Sequence, residues 1–337
     1  MTCSLIIHDA HPGITVQDLG RPGYLSFGLS RGGAMDRLAI IEGAALLGQP
    51  DTLAALEMAG RGGVFEATED VRIALTGAPM RASLDDTKLV WGASHALPKG
   101  ARLSIGAVTE GTYGYLHIGG GFDTPLELGA RGAHLAAGIG TRIQGGQRLP
   151  VGPDVSGETG LRVAVDARFT GGTIHIVPSL QTEFFPEAEI ERFQATAFRR
   201  DARGNRMGVP LLQDGAHFQS AAGLSVVSEV VVPGDIQITG DGTPFVLLAE
   251  CQTTGGYPRI GSVLPTDLPR VAQAPPGTTL QFRFVSLDEA VAIETRERKR
   301  RMDLRKSITP LIRRPDTIPD LLSYNLISGV IAGDSPS

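Results

Sequence analysis

Pro244-Phe-Val-Leu-Leu-Ala-Glu-Cys-Gln-Thr-Thr-Gly-Gly-Tyr-Pro-Arg-Ile-Gly261 opens as an apolar run and empties into amides, hydroxyls, two glycines and an arginine. The apolar part reads as a short buried strand. Gly255-Gly256 suits a turn with positive φ, so the polar part can be read as a hairpin. A hairpin leaves Gln252, Thr253, Thr254 and Arg259 unexplained. Amide, hydroxyl and guanidinium groups beside glycine backbone are also what a polar small-molecule site presents. Structural turn and binding loop both stay open on this stretch alone.

Similar short apolar runs, punctuated by glycine, extend outward in both directions. Before it lie Leu5–His8, Gly63–Ala67, Val71–Leu75, Arg102–Ile105 and Gly114–Ile118, then Thr173–Val177, Leu224–Val227 and Asp235–Thr239; after it comes Thr279–Phe284. Helical spacing is rarer. It predicts helices over Met35–Leu47, with Asp36 in the first turn and Gly48 and Pro50 ending it, over Thr182–Ala195 and over Thr266–Gln273. The 44 glycines carry no collagen-like period, so they mark turns between many short strands. Few helices among many strands favour barrels or sandwiches over a parallel βαβ sheet. The segment Gly119–Gly160 is glycine-rich and weakly periodic, and reads as long loops.

The length of 337 residues fits about two domains. The expected division is a β domain with one helix over 1–165, a second β domain over 166–290, and a tail over 291–337. In the tail, Ser286-Leu-Asp-Glu289 is a capping box opening a helix whose run Arg296–Arg301 reads as a solvated face. The apolar segment Leu321–Ile331 is expected to dock on this chain or a partner. A net charge of −5 argues against a nucleic-acid partner. Two cysteines, Cys3 and Cys251, make neither a disulfide framework nor a zinc knuckle and fit a reducing compartment. The N-terminus lacks the basic start and apolar core of a secretory signal, and no apolar run approaches the roughly 18 residues of a membrane span. A cytoplasmic protein without membrane contact is expected.

Single motifs give little. Gly28-Leu-Ser-Arg-Gly32 matches the G-x-S-x-G nucleophile pattern, but that pattern needs a strand–turn–helix in an α/β sheet, and the surroundings are β-rich. Cys251 reads as a small core residue. His8 and His11 have no third ligand, so no metal site is evident. His117 and His175 fall inside strands and read as core histidines. No G-x-x-x-x-G-K-[ST] loop for ATP and no Ala-Met-Lys-Met site for biotin exists in the sequence. Three segments stand above this background: Thr15–Tyr24, Gly204–Gly208 and the opening stretch. Each couples glycine with arginine and an amide. Arginine offers a planar fork for carboxylate or phosphate, amides match an amide or ureido group, and glycine exposes backbone N–H groups.

These residues bring a resemblance with them. Val16–Tyr24, Gly33-Ala-Met-Asp36, Ala54-Ala-Leu-Glu57, Tyr115–Gly121, Asn205-Arg-Met-Gly208, Gln252–Pro258, Asp267-Leu268 and Ala272-Gln273 together resemble the allophanate hydrolase subunit 2 family. That family is also called biotin-dependent carboxyltransferase or KipA-like, and the likeness covers about residues 4–290. It implies a mainly β, cyclophilin-like architecture of two β-barrel units with a few short helices. It implies an allophanate hydrolase subunit 1 partner, a KipI-like chain. Three roles follow from it: the C subunit of an ATP-dependent 5-oxoprolinase complex, acting with an oxoprolinase A-type chain; a carboxyltransferase for urea, fed by biotin carboxylase and carboxybiotin carrier proteins in trans; or a non-catalytic regulator that binds a KipI-like inhibitor. ATP within the complex and carboxybiotin in trans are the cofactors it admits.

The expected site gathers the three segments around a small amide substrate. Gln252 and Asn205 hydrogen-bond the amide, Arg206 and Arg259 hold a carboxylate or carboxyl group, and Gly255 and Gly256 steady charge on oxygen. Thr253, Thr254 and Tyr257 line the same mouth, Gln17, Arg21 and Tyr24 converge on it, and Asp18 or Asp267 relays protons or pairs with a cation. The sequence departs from the family pattern where hydroxyls are expected: Gly32 stands for serine in Ser-Gly-Ala-Met-Asp, and Gly129-Ala-Arg-Gly-Ala133 replaces Gly-Ser-Arg-Ser-Thr. Glu250 also stands where aspartate is usual.

Overall fold

The computed structural model describes residues 3–164, 166–223 and 225–312. Leu321–Ile331, expected to dock, and Leu224, expected to open a strand, lie outside the described residues.

The first half is two antiparallel sheets around one core. One runs Arg148–Pro150, Ser4–Ala10, Gly63–Ala67, Arg102–Val108, Met80–Leu84, Thr87–Lys88. The other runs Ile14–Gln17, Ala55–Ala59, Tyr113–Ile118, Val71–Gly77, Ala93–Leu97, Leu161–Arg162, Thr309–Pro310. Gly63–Ala67 shows why they close on each other: its buried and half-buried residues alternate with the strand period of two. Leu5, Ile7, Phe65 and Leu103 from the first sheet meet Ile14, Leu56, Ile73 and Leu116 from the second in one apolar cluster. The final strand brings the chain back from the second half to the first, Leu161 pairing with Pro310.

The second half is a closed barrel of seven strands: Gly172–Val177, Arg259–Val263, Asp235–Ile238, Pro244–Leu247, Gly208–Leu212, Phe198–Arg200 and Thr279–Phe284. The ring closes where Gly172–Ile176 runs parallel to Leu280–Phe284. Phe193, Phe198, Phe218 and Phe282 fill its interior with ring centroids 4.9 to 5.9 Å apart. Burying each ring contributes about 1.5–3 kcal/mol, so this cluster is a large share of what holds the barrel.

Helix α1, Arg37–Leu47, begins two residues later than its spacing predicts, because Asp36 is its cap: the carboxylate accepts the Ala39 N–H at 3.1 Å. The predicted Thr182–Ala195 helix breaks at Pro186 into a 3₁₀ turn, Thr182–Phe184, and α2, Glu187–Ala195. Helix α3 is Leu268–Gln273. Helix α4, Leu287–Met302, is capped by Ser286, whose hydroxyl accepts the Glu289 N–H at 3.2 Å. The Gly119–Gly160 segment is less open than its composition indicates. It contributes the strand Arg148–Pro150, and Phe122, Ala130, Ala133 and Ile143 are buried.

The halves meet across an interior face. Met35, Ile40, Ala55 and Tyr115 of the first pack with Leu248, Val271 and Ala274 of the second. Gln273 bridges them: its Oε1 accepts the N–H groups of Thr112 (3.1 Å) and Tyr113 (2.8 Å), and its Nε2 donates to Asp36 Oδ2 (2.8 Å).

Candidate functional site

The seam between the halves is built by close backbone packing of residues 18–21 against 31–34. Arg21 N–H donates to Arg31 O at 2.9 Å and Ala34 N–H to Asp18 O at 2.8 Å. Only glycine fits here. A β-carbon on Gly20 would stand 2.5 Å from Arg31 O, and one on Gly33 2.6 Å from Gly20 N, and both have positive φ. Gly32 N–H then crosses to Ala249 O of the barrel at 3.0 Å.

This packing delivers Ser30, His134 and Glu250 to one place, all buried. Ser30 Oγ is 2.9 Å from His134 Nε2, and His134 Nδ1 is 4.0 Å from Glu250 Oε2. Nδ1 has no hydrogen-bond partner among the described residues. Burial lowers the His134 pKa below the usual histidine range, against the upward pull of Glu250 and with the downward help of Arg21. A neutral imidazole that accepts from the serine hydroxyl at Nε2 carries its own proton on Nδ1, facing the glutamate. That is an arrangement able to move a proton.

Glu250 also belongs to a charge network. Arg206 donates through Nε to Glu250 Oε1 at 2.5 Å, through Nη2 to Gly33 O at 2.7 Å, and through Nη1 to Glu57 Oε1. Glu57 Oε2 accepts from the Tyr115 hydroxyl (2.7 Å) and Met35 N–H (2.8 Å), and Tyr115 Oη accepts from Asp36 N–H (2.8 Å). Burial opposes the Arg206 charge, but Glu57 and Glu250 hold its pKa above the ordinary arginine value. Asp36 Oδ2 continues the chain to Arg168 Nε at 2.6 Å, and Arg168 forks onto both oxygens of Glu42 at 2.7 and 2.9 Å.

The expected site residues divide by location. Gln17, Asp18 and Arg21 lie together under the loop 127–133. Asp18 accepts N–H groups of Gly20 (2.8 Å) and Arg131 (2.6 Å). Arg21, buried, donates to Gly132 O (2.5 Å) and Glu127 O (3.3 Å), while its Nη1 has no partner. Gln17 donates to Thr15 Oγ1 and Ala133 O, both at 3.0 Å, while its Oε1 has no partner. Arg206 joins them through Gly33 and Glu250. Tyr24 is half-buried, 6.3 Å in centroid distance from Phe27. Asn205 is exposed, its amide oxygen accepting Met207 N–H at 2.8 Å.

The opening stretch does not form the expected hairpin turn: neither Gly255 nor Gly256 has positive φ, and the segment makes a short ladder instead. Thr254–Gly255 pairs with Glu229–Val230, Thr253 O accepts Val231 N–H and Gly256 O accepts Val226 N–H. Gln252 Nε2 donates to Gln237 Oε1 at 3.0 Å, and Tyr257 is exposed. Arg259 begins a barrel strand. Its guanidinium donates to Glu229 (2.5 Å), Asp235 (3.3 Å), Val230 O (3.0 Å) and Gln181 (3.4 Å). Asp235 is on the neighbouring barrel strand, Glu229 and Val230 on a separate two-stranded ladder and Gln181 before a 3₁₀ turn, and Arg259 shares none of these partners with Arg21 or Arg206. Asp267 accepts from both the backbone N–H and Nδ1 of His175 at 2.7 Å, an ion-pair geometry.

The sequence points to Ser30 only through its motif and does not mark His134, Glu57 or Glu250 as site residues. The G-x-S-x-G motif is the one available signal; its usual strand–turn–helix setting is absent here, and the histidine comes from the glycine-rich segment instead. Cys251 is buried, its thiol pushed up to about 12 by burial first and by Asp235 second, as a core residue would be. Among the described residues, no group of three His, Cys, Asp or Glu is placed to hold a metal ion, and no helix is long and apolar enough to cross a membrane.

A closed seven-stranded barrel joined to a two-sheet unit, with a buried polar seam between them, defines a carboxyltransferase domain of the type with subdomains A and B. Residues 27–284 match that family, and the chain belongs to it. Its sequence is 32% identical over 281 residues to the C subunit of 5-oxoprolinase from Escherichia coli (strain K12), covering 82% of this chain and 90% of that one. It is 31% identical over 293 residues to the C subunit of 5-oxoprolinase from Haemophilus influenzae, covering 85% and 93%. The crystal structure of Kluyveromyces lactis urea carboxylase shares the fold, with a TM-score of 0.81 at 24% identity, over 93% of this chain and 31% of that one. This chain thus spans about a third of that enzyme's length.

Proposed function

We propose that this chain is the C-type component of a multi-subunit, amide-processing enzyme of the 5-oxoprolinase kind. The observation that carries the reading is the likeness to two proteins of that name, over 82% and 85% of this chain and 90% and 93% of theirs. A cyclic amide bearing a carboxylate needs a donor for its carbonyl oxygen, a donor for its carboxylate and a route for a proton. In this reading Arg21 Nη1, buried and unpartnered, takes the oxygen. His134 takes or gives the proton, with Ser30 setting its tautomer and Glu250 facing its other nitrogen. Gln17 Oε1, also unpartnered, accepts the amide N–H. A KipI-like, B-type component and an oxoprolinase A-type component complete the complex, and ATP is assigned to no residue of this chain. Gln252, Thr253, Thr254 and Tyr257 are read as a contact surface for substrate or partner.

Carboxyl transfer is the second reading, favoured by the family match itself. The seam's free groups match a ureido ring in type: Arg21 Nη1 would donate to its carbonyl oxygen and Gln17 Oε1 would accept from a ring N–H. Biotin carried in trans would supply the carboxyl unit there, and Arg21, Gln17 and His134 would hold the acceptor amide and its proton.

The test is turnover of 5-oxoproline to glutamate, with ATP, by this chain co-purified with its two partner proteins. Turnover that falls by about 100-fold in His134→Gln supports the first reading. No turnover by a folded complex, with carboxylation of urea once biotin carboxylase and carrier are added, establishes the second.

A further inference from the structure

Three arginines surround an apolar cavity that the seam site leaves unused. The cavity has a volume of about 260 Å³. Leu38 and Ile41 of α1, Leu248 and Pro233 of the barrel, and Leu268 and Pro269 of α3 form its walls. Arg31, Arg37 and Arg301 complete its lining.

These cations are unlike their neighbours. Arg168 and Arg300 each pair with carboxylates at 3.2 Å or less. Among the described residues, Arg31, Arg37 and Arg301 have no carboxylate within the 4.0 Å of an ion pair. Arg31 and Arg37 share one carbonyl, Leu19 O, at 2.9 and 3.4 Å. Arg301 Nε is buried with no partner among the described residues. The charge of Asp18 reaches Arg31, but the Asp18 oxygens already accept the N–H groups of Gly20 and Arg131. Arg37 is exposed as a whole residue. Even so, the protein around it first, and the charges of Arg31 and Arg301 second, lower its pKa to about 10. The cluster is therefore short of negative charge by its own geometry.

We infer that this cavity binds a small organic carboxylate, its apolar body against Leu38, Leu248 and Leu268 and its charged head among Arg31, Arg37 and Arg301. A guanidinium fork matches a planar carboxylate, and the apolar walls reward a hydrocarbon body over a bare ion. The volume is below the roughly 300–1,000 Å³ of sites for drug-sized ligands, which points to a metabolite smaller than a nucleotide. Gly32 also lines the cavity, and a β-carbon placed on it would stand 3.6 Å from Arg21 Nη1 and 3.0 Å from His134 Cδ2. An occupant therefore sits beside the seam. The inference does not depend on which reaction the seam performs.

Isothermal titration of the full chain with phenylacetate, hexanoate, phenylacetamide and inorganic phosphate tests it. The expected result is saturable binding of at least one acid, with phenylacetamide and phosphate at least about tenfold weaker. Arg31→Gln and Arg37→Gln should each weaken acid binding by about tenfold. Without ligand, Arg37→Gln should melt no earlier than wild type, because it relieves repulsion between cations; this shows that any lost binding is not lost folding. The inference is overturned if neither acid saturates up to about 10 mM, if acid and amide bind alike, if phosphate alone binds as well, or if both glutamine variants bind normally.

Discussion

Ser30 and His134, 104 positions apart, meet at 2.9 Å in the buried seam, and the far nitrogen of the same ring lies 4.0 Å from Glu250. Three segments that share no local pattern thus present hydroxyl, imidazole and carboxylate in order. With the ring proton on Nδ1, Nε2 accepts the Ser30 hydroxyl and the N–H faces Glu250.

Ser30→Ala should therefore change the pH profile of the assembled complex as well as its stability. We expect kcat to fall by roughly 10- to 100-fold with KM little changed. Glu250 pulls the His134 pKa up, so Glu250→Gln should lower it further and move the acid limb of the profile to lower pH. A purely structural hydroxyl would shift Tm and leave both limbs in place.

Arg206 holds two buried carboxylates from opposite halves, Glu57 and Glu250. Arg206→Ala strands both, and should cost about 3–5 kcal/mol in urea unfolding. Adding Glu57→Gln to that variant should restore part of the loss. A single-variant cost under about 1 kcal/mol would show that the network does not bind the halves.

Glu42 has its pKa raised to about 7, by burial first, with Asp36 and Asp166 adding to the push and Arg168 opposing it. A carboxyl whose folded pKa exceeds its unfolded value of 4.5 takes up a proton on folding. Its contribution is fully present below pH 4.5 and is lost as pH rises toward 7. Tm of the wild type relative to Glu42→Gln should accordingly fall between pH 5 and pH 7; a flat difference would show that Arg168 keeps Glu42 ionised throughout.

Gly43→Ala tests how tightly α1 sits on the second sheet. Within a helix this change ordinarily stabilises by about 0.5–1 kcal/mol. Here a β-carbon would run into the ring of His117, which is buried and bonded to Thr76 Oγ1 at 2.7 Å. The expected result is a net loss of about 1–3 kcal/mol by thermal or chemical unfolding.

Many of the strands are legible in the sequence because short apolar or alternating runs punctuated by glycine have few other interpretations. Gly63–Ala67 and Thr279–Phe284 have the bounds that their alternation indicates. Ala55–Ala59 is not legible: Ala-Leu-Glu-Met-Ala is helix-forming locally, and only burial between two neighbours makes it a strand. Arg259 reads locally as the end of a loop, whereas it starts a barrel strand between Gly172–Val177 and Asp235–Ile238. The site is harder still. A guanidinium in a sequence looks available, and Arg206 is occupied by a glutamate 149 positions away. Long-range neutralisation leaves no local trace. Unpartnered groups such as Arg21 Nη1 become visible only once every other donor has been accounted for.

Gln273 spans the two halves with one amide, holding Thr112, Tyr113 and Asp36 at once. Cut near residue 165, the chain would give one fragment with bare backbone donors and another with an amide and an arginine that have nothing to hold. Such fragments should fail to fold alone and should rescue each other when mixed.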